Sequence, residues 1–158
     1  MEAEVARPAA DLLALRYVLA GTVAGLRLPP PAPAERADRL WEHSCFEAFV
    51  RAPPHPGYAE FNFAPSGRWA AYRFEGYREG MSPAAACPKI AVAAGAERLE
   101  LAARVALPAD ASWLVGLAAV VEEADGNRSF WALDHPPGAP DFHHPACFVL
   151  ELPPPAAG

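Results

Sequence analysis

A chain of 158 residues with 53% hydrophobic content is long enough to bury a core without disulfide staples. A net charge of −6, with no cluster of basic residues, argues against a nucleic-acid partner, which needs a basic footprint. Three cysteines (Cys45, Cys87, Cys147) without CxxC spacing point to free, buried thiols in a reducing compartment rather than to a disulfide framework.

The 19 prolines and 11 glycines imply many turns and few long helices. High Ala, Pro and Arg beside a single Lys also fit a GC-rich, bacterial genome. The N-terminal stretch MEAEVARPAADLLALRYVLAG has acidic residues where a signal peptide needs positive charge, and Arg16 interrupts its apolar run. No segment reaches the roughly 18 uninterrupted apolar residues of a membrane span. The expectation is a cytoplasmic protein with no membrane partner.

Taken in order, Leu12–Ala20 and Val23–Leu28 are apolar runs separated by Gly21-Thr22, and read as two strands. Residues 29–38, PPPAPAERAD, lack the N–H groups that a ladder needs and read as a loop; Pro29–Pro33 is also a candidate partner-recognition segment. Three runs of period two follow. In Cys45–Val50, Phe46, Ala48 and Val50 oppose Glu47. In Tyr58–Phe63, Ala59, Phe61 and Phe63 oppose Tyr58, Glu60 and Asn62. In Trp69–Glu75, Ala70, Tyr72 and Phe74 oppose Trp69, Arg73 and Glu75. With Pro/Gly/Ser segments between them, these read as an antiparallel meander.

Lys89–Ala93 and Leu99–Leu107 form a predicted hairpin around Gly95. Residues 113–121 run almost continuously apolar, which suits a strand covered on both faces. Asp125-Gly126-Asn127 is a turn; Ser129–Leu133 and Cys147–Leu152 are the last strands, and residues 153–158 are a frayed tail. About nine short strands without an amphipathic helix predict a single all-β domain over residues 1–158, an antiparallel β-sandwich of jelly-roll type.

The polar face of the meander is the candidate site. If the registers align, it brings together Glu47, Tyr58, Glu60, Asn62, Trp69, Arg73 and Glu75. A face that mixes aromatic rings with bidentate hydrogen-bonding groups suits a small polar ligand: rings stack on the C–H face of a sugar, and Glu, Asn and Arg bond its hydroxyls. Trp41 and Trp131, each near a histidine, are further candidates for lining it. No catalytic constellation stands out. Glu47 and Glu60 could be a glycosidase-type pair, but a structural pairing with Arg73 explains them as well. His43, His135, His143 and His144 lack metal-site spacing, so no metal is expected. No cofactor is expected either.

These residues carry a resemblance. Trp41, Cys45-Phe46-Glu47, Tyr58-Ala59-Glu60-Phe61 and Pro65-Ser66-Gly67, then Trp131, Phe142-His143, Pro145, Phe148 and Leu150, follow a pattern that resembles the DOMON-like superfamily and family 9 carbohydrate-binding modules. The match spans residues 40 to 152. It implies a β-sandwich with a ligand cleft on one sheet, tryptophans stacking on a sugar, and His143 joining the ligand set. The chain is similar to stand-alone bacterial DOMON-like proteins, whose ligand is not established. Haem-binding members of the superfamily use Met and His ligands; here Met81 is the only internal methionine, which leaves haem as the alternative.

Overall fold

The computed structural model describes residues 1–155; the last three residues of the expected frayed tail lie outside it. Eleven strands form two antiparallel sheets, and three single 3-10 turns complete the regular structure, as the all-β reading requires. The first sheet holds β1 (Glu2–Ala9), β2 (Leu12–Ala20), β7 (Lys89–Ala94) and β8 (Arg98–Ala106), in the order β1-β2-β8-β7. The second holds β3 (Cys45–Arg51), β4 (Tyr58–Phe63), β5 (Trp69–Phe74), β6 (Ser82–Pro83), β9 (Trp113–Glu122) and β10 (Arg128–Ala132), in the order β10-β9-β3-β4-β5-β6. β11 (Leu150–Leu152) pairs with the first half of β9, on the edge whose second half pairs with β10. Among the described residues, no helix is long and apolar enough to cross a membrane.

The sandwich core forms where both sheets turn their alternating apolar residues inward. Leu13, Leu15, Tyr17, Leu99, Leu101 and Val105 of the first sheet meet Phe46, Ala48, Phe61, Phe63, Trp69, Trp113 and Val115 of the second. Tyr17 can be buried there because its hydroxyl donates to the carbonyl of Glu47 at 2.7 Å. Trp113 closes one end, with the Arg7 guanidinium 3.6 Å above its ring.

Several expectations need correction. β1 was not anticipated, although Ala3 and Val5 alternate with Glu2 and Glu4 and pair with Tyr17 and Leu15. Val23–Leu28 is not a strand: Val23–Gly25 is a 3-10 turn, and only Leu26 makes a bridge, to Glu123. Cys147 lies in the 3-10 turn Pro145–Cys147 rather than in the last strand. Cys87 is exposed, against the expectation of a buried thiol. The proline-rich loop is tied down past its first prolines. Ala32 donates to the Ser66 carbonyl, and Trp69 exchanges bonds with Glu35 and Ala37.

Both faces of the second sheet are covered. Its outer face packs Phe49, Tyr58, Tyr72, Phe74 and Phe148 into a smaller apolar cluster, roofed by residues near Leu40 and Phe142. This second cover explains the unbroken apolar run of β9.

Candidate functional site

The outer face of the second sheet is organised by register. Glu47 on β3 stands opposite Asn62 on β4 and Ala118 on β9; Asn62 in turn faces Ala70 on β5, and Ala118 faces Ala132 on β10. One row across the sheet therefore reads Ala132, Ala118, Glu47, Asn62, Ala70. Three alanines flanking two polar side chains leave space above the row. The adjacent row, Gly116, Phe49, Glu60, Tyr72, carries the second carboxyl, diagonal to Glu47.

That space is a cavity of 390 Å³, within the range of small-molecule sites. Glu47 and Glu60 lie at its floor, Trp41, Phe74, Phe130 and Phe142 line its walls, and Arg78, Met81 and His143 complete it. The cover comes from two non-strand segments. The 3-10 turn Leu40–Glu42 brings the Trp41 ring edge-on to Tyr72 at 5.8 Å between centroids. The loop of residues 133–149 folds back across the sheet, close enough that a Cβ on Gly116 would lie 2.6 Å from the Cys147 carbonyl oxygen. Asp141 fastens this loop: it accepts from the Arg78 guanidinium at 2.7 Å and from the Tyr77 hydroxyl.

The floor is polar and nearly dry. Glu47 is 3% exposed and Glu60 4%. Asn62 donates from Nδ2 to Glu60 Oε1 at 2.9 Å, and its buried Oδ1 has no donor. Burial, with Glu60 nearby, pushes the Glu47 carboxyl well above the usual carboxylate range. Burial also raises Glu60, against the opposing pull of Asn62 and Arg78. His143 is pushed down to about 4, by burial first and then by Arg78. The Tyr58 hydroxyl accepts from the Arg78 backbone N–H and is hydrogen-bonded to His143 Nδ1 at 2.8 Å. Nε2 lies 3.6 Å from Glu60 Oε2, and with a neutral imidazole this contact is not an ion pair at neutral pH.

Of the residues selected from the sequence, Trp41, Glu47, Glu60 and His143 line the cavity, and Tyr58 and Asn62 support it from the same face. Three do not join them. Trp69 packs into the inter-sheet core. Arg73 pairs with Ala59 on that same inner face, where it borders a broader hollow of 750 Å³ with His55 and a run of alanines. Trp131 pairs with Ala119, so it too lies on the inner side of its strand. The expectation that the polar residues of β5 share a face with those of β4 fails because Phe63 and Trp69 close the hairpin, which sets Glu60 against Tyr72 and Asn62 against Ala70. Glu75 falls outside the strand.

Sequence reasoning did not single out Arg78, Phe130, Phe142, Phe74 or Tyr72 as site residues. For Tyr72 and Phe74 the signal was the five-residue connection, 64–68, which fixes strand parity; for Phe142 it was the Phe142-His143 pair of the family pattern; for Arg78, in an irregular segment, no comparable signal exists. His43 serves elsewhere, its Nδ1 lying 2.7 Å from buried Glu122. Among the described residues, no group of three or more His, Cys, Asp or Glu side chains is disposed to hold a metal ion.

Comparison with known proteins bears on the fold. No family model matches the chain, and no curated protein matches it at a significant level. The chain is similar to the crystal structure of a candidate carbohydrate-binding protein from Bacteroides uniformis, with a TM-score of 0.62 and 16% identity. The alignment covers 93% of this chain and 75% of that one. At this identity the likeness is one of fold: both chains are built on the same two-sheet architecture.

Proposed function

We propose that the outer cavity of the second sheet binds a small polar ligand of saccharide type, without catalysing its conversion. The observation that carries this reading is one cavity with two buried carboxyls at its floor and aromatic rings on its walls. Rings offer stacking surface to the C–H face of a pyranose, while Glu47, Glu60 and the rim guanidinium of Arg78 bond hydroxyls. The resemblance to DOMON-like proteins and family 9 carbohydrate-binding modules supports the same reading, as does the description of the Bacteroides uniformis structure. The two carboxyls are not set apart from each other as a glycosidase pair is. That chemistry needs one acid and one ionised partner, whereas both groups here are shifted in the same direction.

The test is ligand-protected melting against neutral, amino and acidic sugars at millimolar concentration. A rise in Tm that is lost in Glu60→Gln and in Trp41→Ala supports the proposal. No shift with any sugar, or a shift unchanged in both variants, overturns it.

A haem-binding reading draws on one observation, that Met81 and His143 line the same cavity. Against it, Nδ1 of His143 is already engaged by the Tyr58 hydroxyl, and Nε2 lies beside Glu60 Oε2 at 3.6 Å. The absence of a Soret band after haem reconstitution would remove this alternative.

A further inference from the structure

We infer that the ligand of this cavity is cationic: a saccharide-sized molecule bearing a primary ammonium, of the amino-sugar class, whose charge is received by Glu47 and Glu60. This rests on the saccharide reading above and adds the charge of the ligand to it.

The floor presents acceptors in excess. The Glu47 side chain is 3% exposed and lines the cavity, and among the described residues no hydrogen bond reaches its carboxyl oxygens, which open onto the cavity space. Glu60 has one donor, Asn62, on Oε1. Asn62 Oδ1 is buried beside them in the same row and has no donor at all. A buried carboxyl short of donors is costly, and a cavity that holds one without a donor and a second with a single donor leaves part of the pairing to something else.

The protein does not supply the missing charge. The groups facing this floor are Cys45 on β3, Tyr58 on β4, Tyr72 on β5 with Asp38 behind it, His143 in the covering loop and Arg78 at the rim; Tyr17 approaches Glu47 from the core. Among the residues lining the cavity only Arg78 is a permanent cation, and it is bonded to Asp141; Arg51, on the same face of β3, lies over the Phe148 ring outside the cavity. His143, pushed down to about 4, is neutral at physiological pH. With Arg78 already paired to Asp141, the protein leaves no cation beside Glu47 and Glu60 to favour their ionised forms, and an incoming ammonium would supply it.

An ammonium matches this deficit in number as well as in sign. It has three N–H donors and no acceptor, against a floor that offers acceptors and almost no donors. A neutral hydroxyl in the same place brings one donor and two lone pairs, the latter facing carboxyl oxygens. The walls agree, since Trp41, Phe74, Phe130 and Phe142 present rings to a cation held between them.

The experiment is calorimetric titration and melting of the whole chain with four probes of similar size: glucosamine, glucose, N-acetylglucosamine and cyclohexylamine. Glucosamine is expected to bind roughly tenfold or more tightly than glucose or its N-acetyl form, because a charge-assisted bond replaces a neutral one. Its affinity should fall as pH is lowered and the carboxyls, raised by burial, hold their protons more firmly, while glucose affinity changes little. In Glu47→Gln the preference for glucosamine over glucose should shrink toward unity. Equal binding of glucose and glucosamine overturns the inference and leaves the saccharide reading standing. Equal binding of cyclohexylamine and glucosamine supports the charge preference but overturns the saccharide reading. No binding by any probe overturns both.

Discussion

The Tyr58 hydroxyl lies 2.8 Å from Nδ1 of His143, joining the centre of the second sheet to the loop that roofs its outer face. The same hydroxyl accepts from the Arg78 N–H, so one oxygen sets the position of two cavity-lining segments. Around it the His143 ring is packed by Phe49 and Phe74, each at 5.0 Å between centroids. Replacing Tyr58 by Phe keeps the ring but leaves Nδ1 without its hydrogen-bond partner. The expected cost is about 1–3 kcal/mol in denaturant unfolding. Amide exchange should quicken first between Phe142 and Cys147, before the strands respond. Unaltered exchange in that segment would show that the hydrogen bond does not hold the loop.

The same histidine gives the fold a pH dependence. Unfolded, its ring takes a proton below about 6.5; folded, it does so only near 4. Between those values the unfolded chain binds more protons, so stability falls as pH drops from about 6.5 to 4. The ceiling is about 3 kcal/mol, lowered by the part of the ring still reached by solvent. Glu47 and Glu60 act in the opposite sense. Their folded values are raised above 4.5, so the folded state keeps protons that the unfolded chain has released. Their contribution is lost as pH rises through those folded values. Urea titrations across pH should therefore show a maximum, with His143→Gln flattening its acid side and Glu47→Gln its alkaline side. A profile identical in both variants would rule these groups out as its source.

Gly116 supplies a third prediction. It sits opposite Phe49 on the outer face, beneath the Cys147 carbonyl, where a methyl group would meet backbone oxygen at 2.6 Å. Backbone cannot step aside as a long side chain can, so Gly116→Ala should lift the covering loop. The expected loss is about 1–3 kcal/mol, typical of overpacking, together with weaker binding of any cavity ligand. Cavity binding left intact would mean that the roof is not needed for the site.

How much of this was legible follows from which signals are local. The alternation in residues 45–50, 58–63 and 69–75 located the three central strands, and Glu47, Glu60 and Asn62 were visible as their polar side. Alternation says which residues share a face within one strand. It does not say which face of the next strand they join, and this is why Trp69 and Arg73 were grouped with Glu60 when Tyr72 and Phe74 belong there. The roof was less visible still. The 133–149 loop has no period, and its placement depends on a glycine in β9 and on an Asp141–Arg78 contact spanning more than sixty residues. Trp41 was a candidate by its residue type beside a histidine, and His143 came from the resemblance to carbohydrate-binding modules, where periodicity could supply neither.

Phe130 and Trp131 give the sharpest test of the face assignment. They are neighbours on β10, both about half exposed, and by size and chemistry Trp131 is the natural candidate for stacking on a sugar. Register reverses that choice. Phe130 pairs with Val120, which lines the cavity, and lies 6.4 Å from Phe142 on the cavity wall. Trp131 pairs with Ala119 of the inter-sheet core and spends its N–H on Ser129 at 3.0 Å. Phe130→Ala should thus weaken binding of a cavity ligand by roughly two- to tenfold in Kd, the worth of one aromatic contact. Trp131→Ala should leave that Kd unchanged, and Arg73→Ala likewise. Calorimetric titration with whichever sugar gives the largest melting shift distinguishes the outcomes. A loss with Trp131→Ala and none with Phe130→Ala would place the ligand on the other face of the sheet.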